Sequence, residues 1–460
     1  MSKVAQHTSA IIFIIFAVFA WIVLSFVYGE VLWTAQERDL LVESANLIPV
    51  SSYLTQFFYY PCLGALTLVA LWALVFFFCQ QILNFNKYLE LLAIAPVVAL
   101  FCSIVSVGYK IYCLETSGFF FSYTLRTLAL SFVCYILSLF LKKRVSFFRK
   151  AEKRLSFIYI IMCMLVAGAS CIIGWMSVYK NYAYLAEMRM IKAAEERDWD
   201  KILMEAGKSH YPTRSMTLLK NVALLNKCEL GERAFEYPLD VNSPDAEALS
   251  IDDGDIALPV VYYNYGLENY AMKWAMEKSV IHGMNTHYLK ILAKTAAVTG
   301  ELNVVEKYRS ILHRKIFYKD WNDISSSEST TRLYDSRREN YLGGDMDNYE
   351  RFLVQHYCQH QLTDDRMTME LILHHTMIAK QPAFFWRALD FYIECNSSCS
   401  LPKHYQEAYL VFEKYMPSTM SHEVTIDPDI EKRFESFIQN NKSPQFNNTY
   451  WWYFYYGRNI

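Results

Sequence analysis

The sequence predicts an all-α protein with two parts, an N-terminal bundle of about five transmembrane helices and an α-helical repeat domain of the tetratricopeptide-like kind. Nearly all the long apolar runs lie in residues 1–179, which we assign to the membrane domain. Residues 180–460 instead carry amphipathic runs with helical spacing and almost no period-two alternation. Hydrophobic residues make up 53% of the 460 residues and charged residues only 20%. A large apolar surface must therefore be buried in protein or in lipid.

Five segments are long and apolar enough to cross the hydrocarbon core of a bilayer, which takes about 20 helical residues. The five segments are residues 9–28, 58–79, 89–109, 119–141 and 155–177. The first is too long for a secretory signal peptide, follows a single basic residue, Lys3, and precedes four more such runs. We therefore predict a multi-pass membrane domain rather than a cleaved leader.

Two of these segments contain residues that are costly or disruptive in a membrane helix. Pro96 lies inside the third segment, where it is expected to kink the helix without breaking it. Arg126 lies inside the fourth, and it either extends to the outer interface or faces a polar cavity and pairs with an acid such as Glu115. About 10 Å of helix separates Arg126 from Phe119, a distance that an Arg side chain largely covers. We favour the interfacial position.

Basic residues predict the orientation of the bundle. The connection between the fourth and fifth segments holds seven basic residues and one acid, which are Lys142, Lys143, Arg144, Arg149, Lys150, Lys153, Arg154 and Glu152. Such a short basic loop marks the cytoplasmic side. Counting crossings from it places the N-terminus in the cytoplasm and everything after about residue 179 outside it.

Beyond residue 180, pairs of helices are separated by short polar breaks at residues 196–198, 228–231 and 299–301. The second helix of each pair has a small or aliphatic residue at the position expected to pack on its partner. These residues are Ile202, Ala234, Ala271 and Val305, and successive members lie 32, 37 and 34 residues apart. A period near 34 is typical of tetratricopeptide repeats. An irregular helical bundle with coincidental spacing is the alternative. Residues 239–257 and 320–347, rich in Asp, Ser and Gly, are predicted to be loops.

Few residues of the C-terminal half form a recognisable chemical motif. The sequence contains no phosphate loop, dinucleotide fingerprint or nucleophile elbow. His356 and His360 lie one helical turn apart and could share a metal, but Cys358 would point elsewhere and no HExxH motif is present. His374 and His375 lie on a neighbouring predicted helix. Partly buried or surface histidines are the favoured interpretation, and we predict no catalytic, cofactor-binding or metal-binding residue.

Two features near the C-terminus leave alternatives open. Cys395 and Cys399 flank a short turn and could pair in an oxidising compartment, although free thiols are favoured. Seven consecutive aromatic residues occupy positions 450–456. They could form a membrane-interface belt, cap the last helix pair or stack on sugar rings, and we favour the capping role.

Several stretches of the chain resemble an uncharacterised family of multi-pass membrane proteins from Bacteroides-type bacteria with a tetratricopeptide-like C-terminal part. The stretches are residues 53–61 (YLTQFFYYP), 263–277 (YNYGLENYAMKWAME), 289–318, 401–408 (LPKHYQEA) and 448–451 (NTYW). The resemblance implies the same architecture and a host with two membranes, so that the outer compartment would be the periplasm. It supplies no catalytic residues.

We therefore expect an inner-membrane protein that acts as a scaffold or interaction module in a cell-envelope process. Its expected partners are the lipid bilayer and a protein that binds the helical-repeat surface. The net charge of −2 gives no electrostatic footprint for nucleic acid. The alternative is a lipid- or glycan-handling membrane enzyme or transporter that uses Arg126 and the acidic first outer loop. The acids of that loop are Glu30, Glu37, Asp39 and Glu43.

Overall fold

The computed structural model describes residues 2–30, 48–83, 89–107, 119–141, 168, 172, 176, 182–209, 212–237, 254–266, 268–282, 285–324, 366–396, 400–440 and 443–456. All regular structure in these residues is helical, as the sequence predicts. The chain forms two compact units, each built from separate chain segments. Unit 1 contains residues 1–188, 277–290 and 306–322, and unit 2 contains residues 189–276, 291–305 and 323–460.

Three helices of unit 1 are long and apolar enough to cross a membrane. They are α1 (Ser2–Ile22, continued by a π-helical stretch at Val23–Val27), α3 (Pro61–Leu83) and α5 (Phe119–Leu141). Helix α2 (Ile48–Thr55) and the shorter apolar helix α4 (Ala95–Val107) lie between them in the chain. The first, second and fourth predicted segments thus have helical counterparts, and membrane association is supported.

The predicted third segment, residues 89–109, is not one continuous α-helix. Residues Leu89–Ile94 form a 3₁₀ helix, and α4 starts afresh at Ala95. Pro96 favours this new start, because proline lacks a backbone N–H and fits best in the first turn of an α-helix. Most of the predicted fifth segment, residues 155–177, lies outside the described residues. The structure therefore describes three candidate spans rather than five.

The second span begins at Pro61 instead of residue 58 because Tyr60, just before the proline, is extended with φ −109° and ψ 102°. Inside unit 1, α3 packs against α1 and α5. The buried Trp72 indole donates a hydrogen bond to Thr124 Oγ1 at 3.1 Å, and the rings of Phe13 and Phe76 stack at 4.4 Å. A buried polar atom of an aromatic residue thus finds a partner inside an apolar bundle.

The C-terminal half folds into further helices, several of them amphipathic. They are α6 (Tyr182–Glu196), α7 (Trp199–Lys208), α8 (Arg214–Asn226), α9 (Leu230–Arg233), α10 (Gly254–Asn264), α11 (Glu268–His282), α12 (Thr286–Val298), α13 (Leu302–Leu312), α14 (Arg366–Ile378), α15 (Pro382–Cys395), α16 (Lys403–Tyr415), α17 (Pro428–Gln439) and α18 (Tyr450–Tyr456). Within unit 2, α8 packs on α7, α10 and α14, and α16 packs on α9, α17 and α18.

The three predicted breaks lie where helices end. Each contains a residue in the left-handed backbone region, with φ 59° at Arg197, 57° at Cys228 and 79° at Gly300. Such a residue ends an α-helix and turns the chain. The loop predicted for residues 239–257 ends early, because α10 already begins at Gly254 and buries Ile256 and Ala257. Burial of these apolar side chains outweighs the local turn signals.

The four residues aligned as packing positions, Ile202, Ala234, Ala271 and Val305, are all buried. Ala234 differs from the others because α9 is only four residues long and ends just before it. Helix α9 approaches α16 closely at Gly231, where an added Cβ would lie 2.7 Å from Pro402 Cβ and 2.9 Å from Tyr405 Cζ. The absence of a side chain at Gly231 therefore sets the distance between these two helices.

Candidate functional site

Unit 2 contains a cluster of buried polar side chains between helices α8, α14, α16 and α18. We call it the buried polar cluster; its members are Lys220, Asn221, His374, His404, Glu407 and Tyr450. The ring of Phe235 lies among them, 5.1 Å from the His404 ring and 5.3 Å from the Tyr450 ring. Polar groups are rarely buried unless they are hydrogen-bonded, so this concentration is the most informative feature of the unit.

His404 and Glu407 form the centre of the cluster. They lie three residues apart on α16, with 2.7 Å between His404 Nδ1 and Glu407 Oε2. The same carboxylate oxygen accepts the backbone N–H of Tyr450 at 2.8 Å. His404 Nε2 accepts the backbone N–H of Phe235 at 3.4 Å. Since Nε2 accepts, the proton of the neutral ring lies on Nδ1 and is donated to Glu407.

His374 is the second histidine of the cluster. Its Nε2 lies 3.1 Å from the side-chain nitrogen of Asn221, which donates to it. Burial above all, together with the nearby His375, Lys220 and His404, holds the pKa of His374 well below its usual range. His374 is therefore neutral at physiological pH, which leaves Nε2 free to accept this hydrogen bond.

Lys220 brings a buried positive charge to the same region. Its Nζ donates to the backbone carbonyl of Ala234 at 2.9 Å. Ala234 directly follows the last residue of α9, so the lysine supplies a donor to a backbone carbonyl at the negative end of a helix. The contact links α8 to the chain after α9.

The hydrogen bonds of the buried polar cluster join neighbouring helices. A His–Glu pair beside a second histidine has the composition of a general acid–base site. Here, however, the hydrogen bonds of His404 and Glu407 go to backbone amides and to each other, and both side chains are fully buried. The arrangement fixes the positions of α16, α18 and the Phe235 backbone relative to one another.

A second polar group, at the surface of unit 2, contains the residue types of a catalytic triad. Asp390 accepts hydrogen bonds from the backbone N–H groups of Ser421 and His422, from Ser421 Oγ at 2.8 Å and from His422 Nδ1 at 2.8 Å. A triad requires the serine on the histidine nitrogen opposite the aspartate. Ser421 instead binds the aspartate directly, so the group fastens the loop after α16 to α15.

The electrostatics of Asp390 agree with this fastening role. Burial tends to raise the pKa of Asp390, but the hydrogen bonds from His422 and Ser421 outweigh it and hold the pKa below the usual range. The ionised carboxylate is thus the form that the loop binds.

Most of the motifs singled out in the sequence lie apart from these groups or outside the described residues. His374 and His375 are buried, and His374 belongs to the buried polar cluster. His356, Cys358, His360 and Cys399 lie outside the described residues, so the shared-metal hypothesis and the Cys395–Cys399 pairing stay predictions. The part of the chain that the structure describes contains no group of three or more His, Cys, Asp or Glu that could hold a metal.

Arg126 is exposed on α5. Thr124, which bonds to Trp72 in the core, precedes it by two residues, or roughly 200° around the helix. Arg126 therefore points away from the Trp72–Thr124 contact, and its interfacial position stays a prediction. Glu115, the suggested acid partner, lies outside the described residues, as do Glu37, Asp39 and Glu43 of the acidic loop.

The aromatic tail is largely internal. Tyr450, Trp451 and Tyr453 of α18 are buried, with Trp451 packed against Phe434 and Phe437. The hydroxyls of Tyr450 and Tyr453 donate to the carbonyls of the last two residues of α14, at 2.9 and 3.1 Å. Those carbonyls have no partner within their own helix. This packing corresponds to the capping role favoured by the sequence.

The outer side of the same helix leaves an aromatic surface. We call it the aromatic patch; its members are Tyr415, Trp452, Tyr455 and Tyr456. Tyr415 is 57% exposed and Tyr456 46% exposed. The Trp452 and Tyr456 rings lie 5.2 Å apart, and Tyr415 lies 6.4 Å from Tyr455. Burial, and then a hydrogen bond with Tyr415, raise the pKa of Tyr455.

These features define an all-helical protein with membrane-span candidates at its N-terminus and a C-terminal unit built around buried polar side chains. The chain belongs to the family of unknown function DUF6057, whose sequence model matches residues 111–457. The matched region starts just before α5 and includes nearly all of the C-terminal half. No curated protein and no solved structure matches the chain.

The buried polar cluster was missed by the sequence analysis. Lys220 and Asn221 have the composition of a solvated helix face, and no local pattern distinguishes them from surface residues. The one available signal was the spacing of His404 and Glu407, which places both on one side of a helix within the 401–408 stretch.

Proposed function

We propose that the protein is a membrane-anchored scaffold in a cell-envelope process, whose C-terminal helical domain binds a partner protein. The aromatic patch carries this proposal. Tyrosine and tryptophan are enriched at the centres of protein interfaces, because they bury much apolar area at low entropic cost and keep a polar group for hydrogen bonding. Tyr415 and Tyr456 leave about half of their surface in solvent, beside rings that are already held by the core.

The anchoring part of the proposal rests on α1, α3 and α5. Helix α5 exposes large apolar side chains along its length, including Leu130 at 65% and Leu137 at 54%. Such a surface suits lipid rather than water. The basic connection 142–154 supports placing the C-terminal half outside the cytoplasm. The family resemblance favours the periplasm, with the protein in the inner membrane.

The proposal extends to the way the helices of the partner-binding domain are paired. We propose that the paired helices from α6 onwards are tetratricopeptide-like units, supported by the burial of Ile202, Ala271 and Val305 at corresponding positions. Units of this kind stack on their neighbours and offer an extended surface to a peptide or protein.

The experiment compares two variants of the full chain, solubilised in detergent. Tyr415→Ser with Tyr456→Ser removes the exposed rings of the aromatic patch, whereas Met204→Ser changes a 51% exposed apolar residue elsewhere in unit 2. Each protein is affinity-purified from its own membranes, and the copurifying proteins are quantified by mass spectrometry.

We expect one stoichiometric partner that the wild type and Met204→Ser retain and the double variant loses. Thermal unfolding of all three proteins is compared, so that loss of a partner can be distinguished from any loss of stability when Tyr415 no longer contacts Phe454 and Tyr455. An identical set of copurifying proteins in the double variant would contradict the proposal.

A further inference from the structure

The end of helix α11 has its polar residues inside and its apolar residues outside. Lys278 and Ser279 are buried, whereas Val280 is 86% exposed and Ile281 65% exposed. Val280 is the most exposed large apolar residue in the part of the chain that the structure describes. A helix in water turns its apolar face to the core, and the reverse order is expected where the surroundings are themselves apolar.

This segment belongs to the unit that contains the membrane-span candidates. Residues 277–290 and 306–322 are part of unit 1 together with residues 1–188. The contacts are specific: the backbone N–H of Ile316 donates to Gln56 Oε1 at 3.3 Å, and the Phe317 ring stacks on Tyr59 at 5.3 Å. The C-terminal half thus contacts the chain just before helix α3.

A further hydrogen bond connects these contacts to the segment after α11. Lys315 Nζ donates to Thr286 Oγ1 at 2.8 Å, so the first residue of α12 is held beside the short helix that contains Phe317. Ile281 precedes Thr286 by five residues, which span at most roughly 17 Å of extended chain. Ile281 therefore lies within that distance of the Lys315–Thr286 contact, and Val280, one residue earlier in the chain, lies within roughly 20 Å of it.

The depth of this region follows from the length of α3. Its 23 residues extend about 34 Å, slightly more than the roughly 30 Å hydrocarbon core. Its first residue, Pro61, therefore lies close to one edge of that core. Tyr60, which is exposed, and Tyr59 precede it at the level where tyrosine is enriched in membrane proteins.

We propose that Val280 and Ile281 insert into the lipid interface at the N-terminal end of α3, as a second membrane contact made by the C-terminal half. This inference rests on the proposal that α1, α3 and α5 span a bilayer. The apolar pair then replaces contact with water by contact with the acyl boundary, while the buried Lys278 and Ser279 keep the helix attached to the protein. The lipid contact and the Phe317 contact together hold this part of the chain against the membrane surface.

The test places an environment-sensitive fluorescent amino acid at single sites of the full chain in vesicles of phosphatidylethanolamine and phosphatidylglycerol. The three sites are Val280, Leu130 on α5 and Met204 on α7. Two sets of vesicles carry nitroxide lipids, with the nitroxide either near the headgroup or near the bilayer centre. All three side chains are well exposed, so the substitutions leave the fold intact.

At position 280 we expect blue-shifted emission that the shallow nitroxide quenches more strongly than the deep one. Position 130 should be quenched most by the deep nitroxide, and position 204 by neither. Quenching at 130 without quenching at 280 overturns the inference and leaves the membrane-spanning proposal intact. Absent quenching at 130 overturns both. A blue shift at 280 without quenching also overturns the inference, since protein rather than lipid would then cover the site.

Discussion

Replacing Gly231 by alanine should destabilise unit 2, although alanine is the better helix former. The added Cβ would lie 2.7 Å from Pro402 Cβ and 2.9 Å from Tyr405 Cζ, where carbon atoms in contact prefer about 3.5–4.0 Å. Neither neighbour yields easily, because Pro402 has a rigid ring and Tyr405 is buried. Helices α9 and α16 would have to separate by nearly 1 Å.

The magnitude follows from two opposing effects. Overpacking of this kind costs about 1–3 kcal/mol, and the gain in helix propensity from glycine to alanine is about 0.5–1 kcal/mol. The net destabilisation should therefore be at most about 2.5 kcal/mol and centred on about 1 kcal/mol. Gly207 on α7 provides the matched control, because the nearest atom to its added Cβ is 4.0 Å away. Gly207→Ala should gain the propensity alone and be stabilised by about 0.5–1 kcal/mol.

The assay is thermal unfolding of the full chain in detergent, followed by circular dichroism. For a unit of this size each kcal/mol shifts the midpoint by about 2–4 °C. The Gly231→Ala midpoint should fall below that of the wild type, and the Gly207→Ala midpoint should lie at or above it. If both variants were equally stable, the close approach of α9 and α16 at Gly231 would be refuted.

Four further outcomes follow from the structure. Glu407→Ala leaves the Nδ1–H of His404 and the backbone amide of Tyr450 unpaired, and it should lower the free energy of unfolding in denaturant by about 2–5 kcal/mol. Glu407→Gln keeps an acceptor and should cost less. Equal costs would contradict the hydrogen-bond assignment. The pKa of Asp390 is lower in the folded than in the unfolded chain, where it is near 3.9. The ionised carboxylate therefore stabilises the fold above that pH, and this stabilisation is lost as the pH falls through the folded pKa. The difference in stability between wild type and Asp390→Ala should shrink below about pH 4. Arg126→Gln should leave membrane abundance on immunoblots near the wild-type level, and a severe loss would indicate a buried ion pair. An alkaline phosphatase fused after residue 180 should be active, and activity of a cytoplasmic reporter there would reverse the orientation.

Local sequence predicts the helices best where one pattern dominates. The predicted fourth segment, residues 119–141, coincides with α5 because a largely apolar run of this length, although it contains Arg126, specifies a helix. The breaks near Arg197 and Gly300 were also predictable, since polar or glycine residues interrupt amphipathic runs there. In the third segment, residues 89–109, a similar apolar run concealed the change from 3₁₀ to α-helix near Pro96, because hydropathy does not report which backbone N–H is missing.

The buried polar cluster was not predictable because its partners are distant in the chain. Asn221 and His374 are separated by 153 residues, and His404 lies 169 residues from the backbone amide that it accepts. Lys220 resembles a solvated side chain until the fold brings the carbonyl of Ala234 to it. Long-range hydrogen bonds decide the burial of these groups, and a helical pattern carries no information about them.

The contact between Phe317 and Tyr59 also imposes an order on biosynthesis. The hydrogen bond beside it joins residues 260 positions apart. At about 5–20 residues per second, the ribosome needs roughly 13–50 s to make the chain between them. Throughout that interval the aromatic edge ahead of α3 has already been synthesised and awaits its partner. Unit 1 is therefore completed only after residues 189–276 and 291–305 of unit 2 have been made. A chain that stalls before residue 316 would leave the candidate membrane helices with an unfinished aromatic surface.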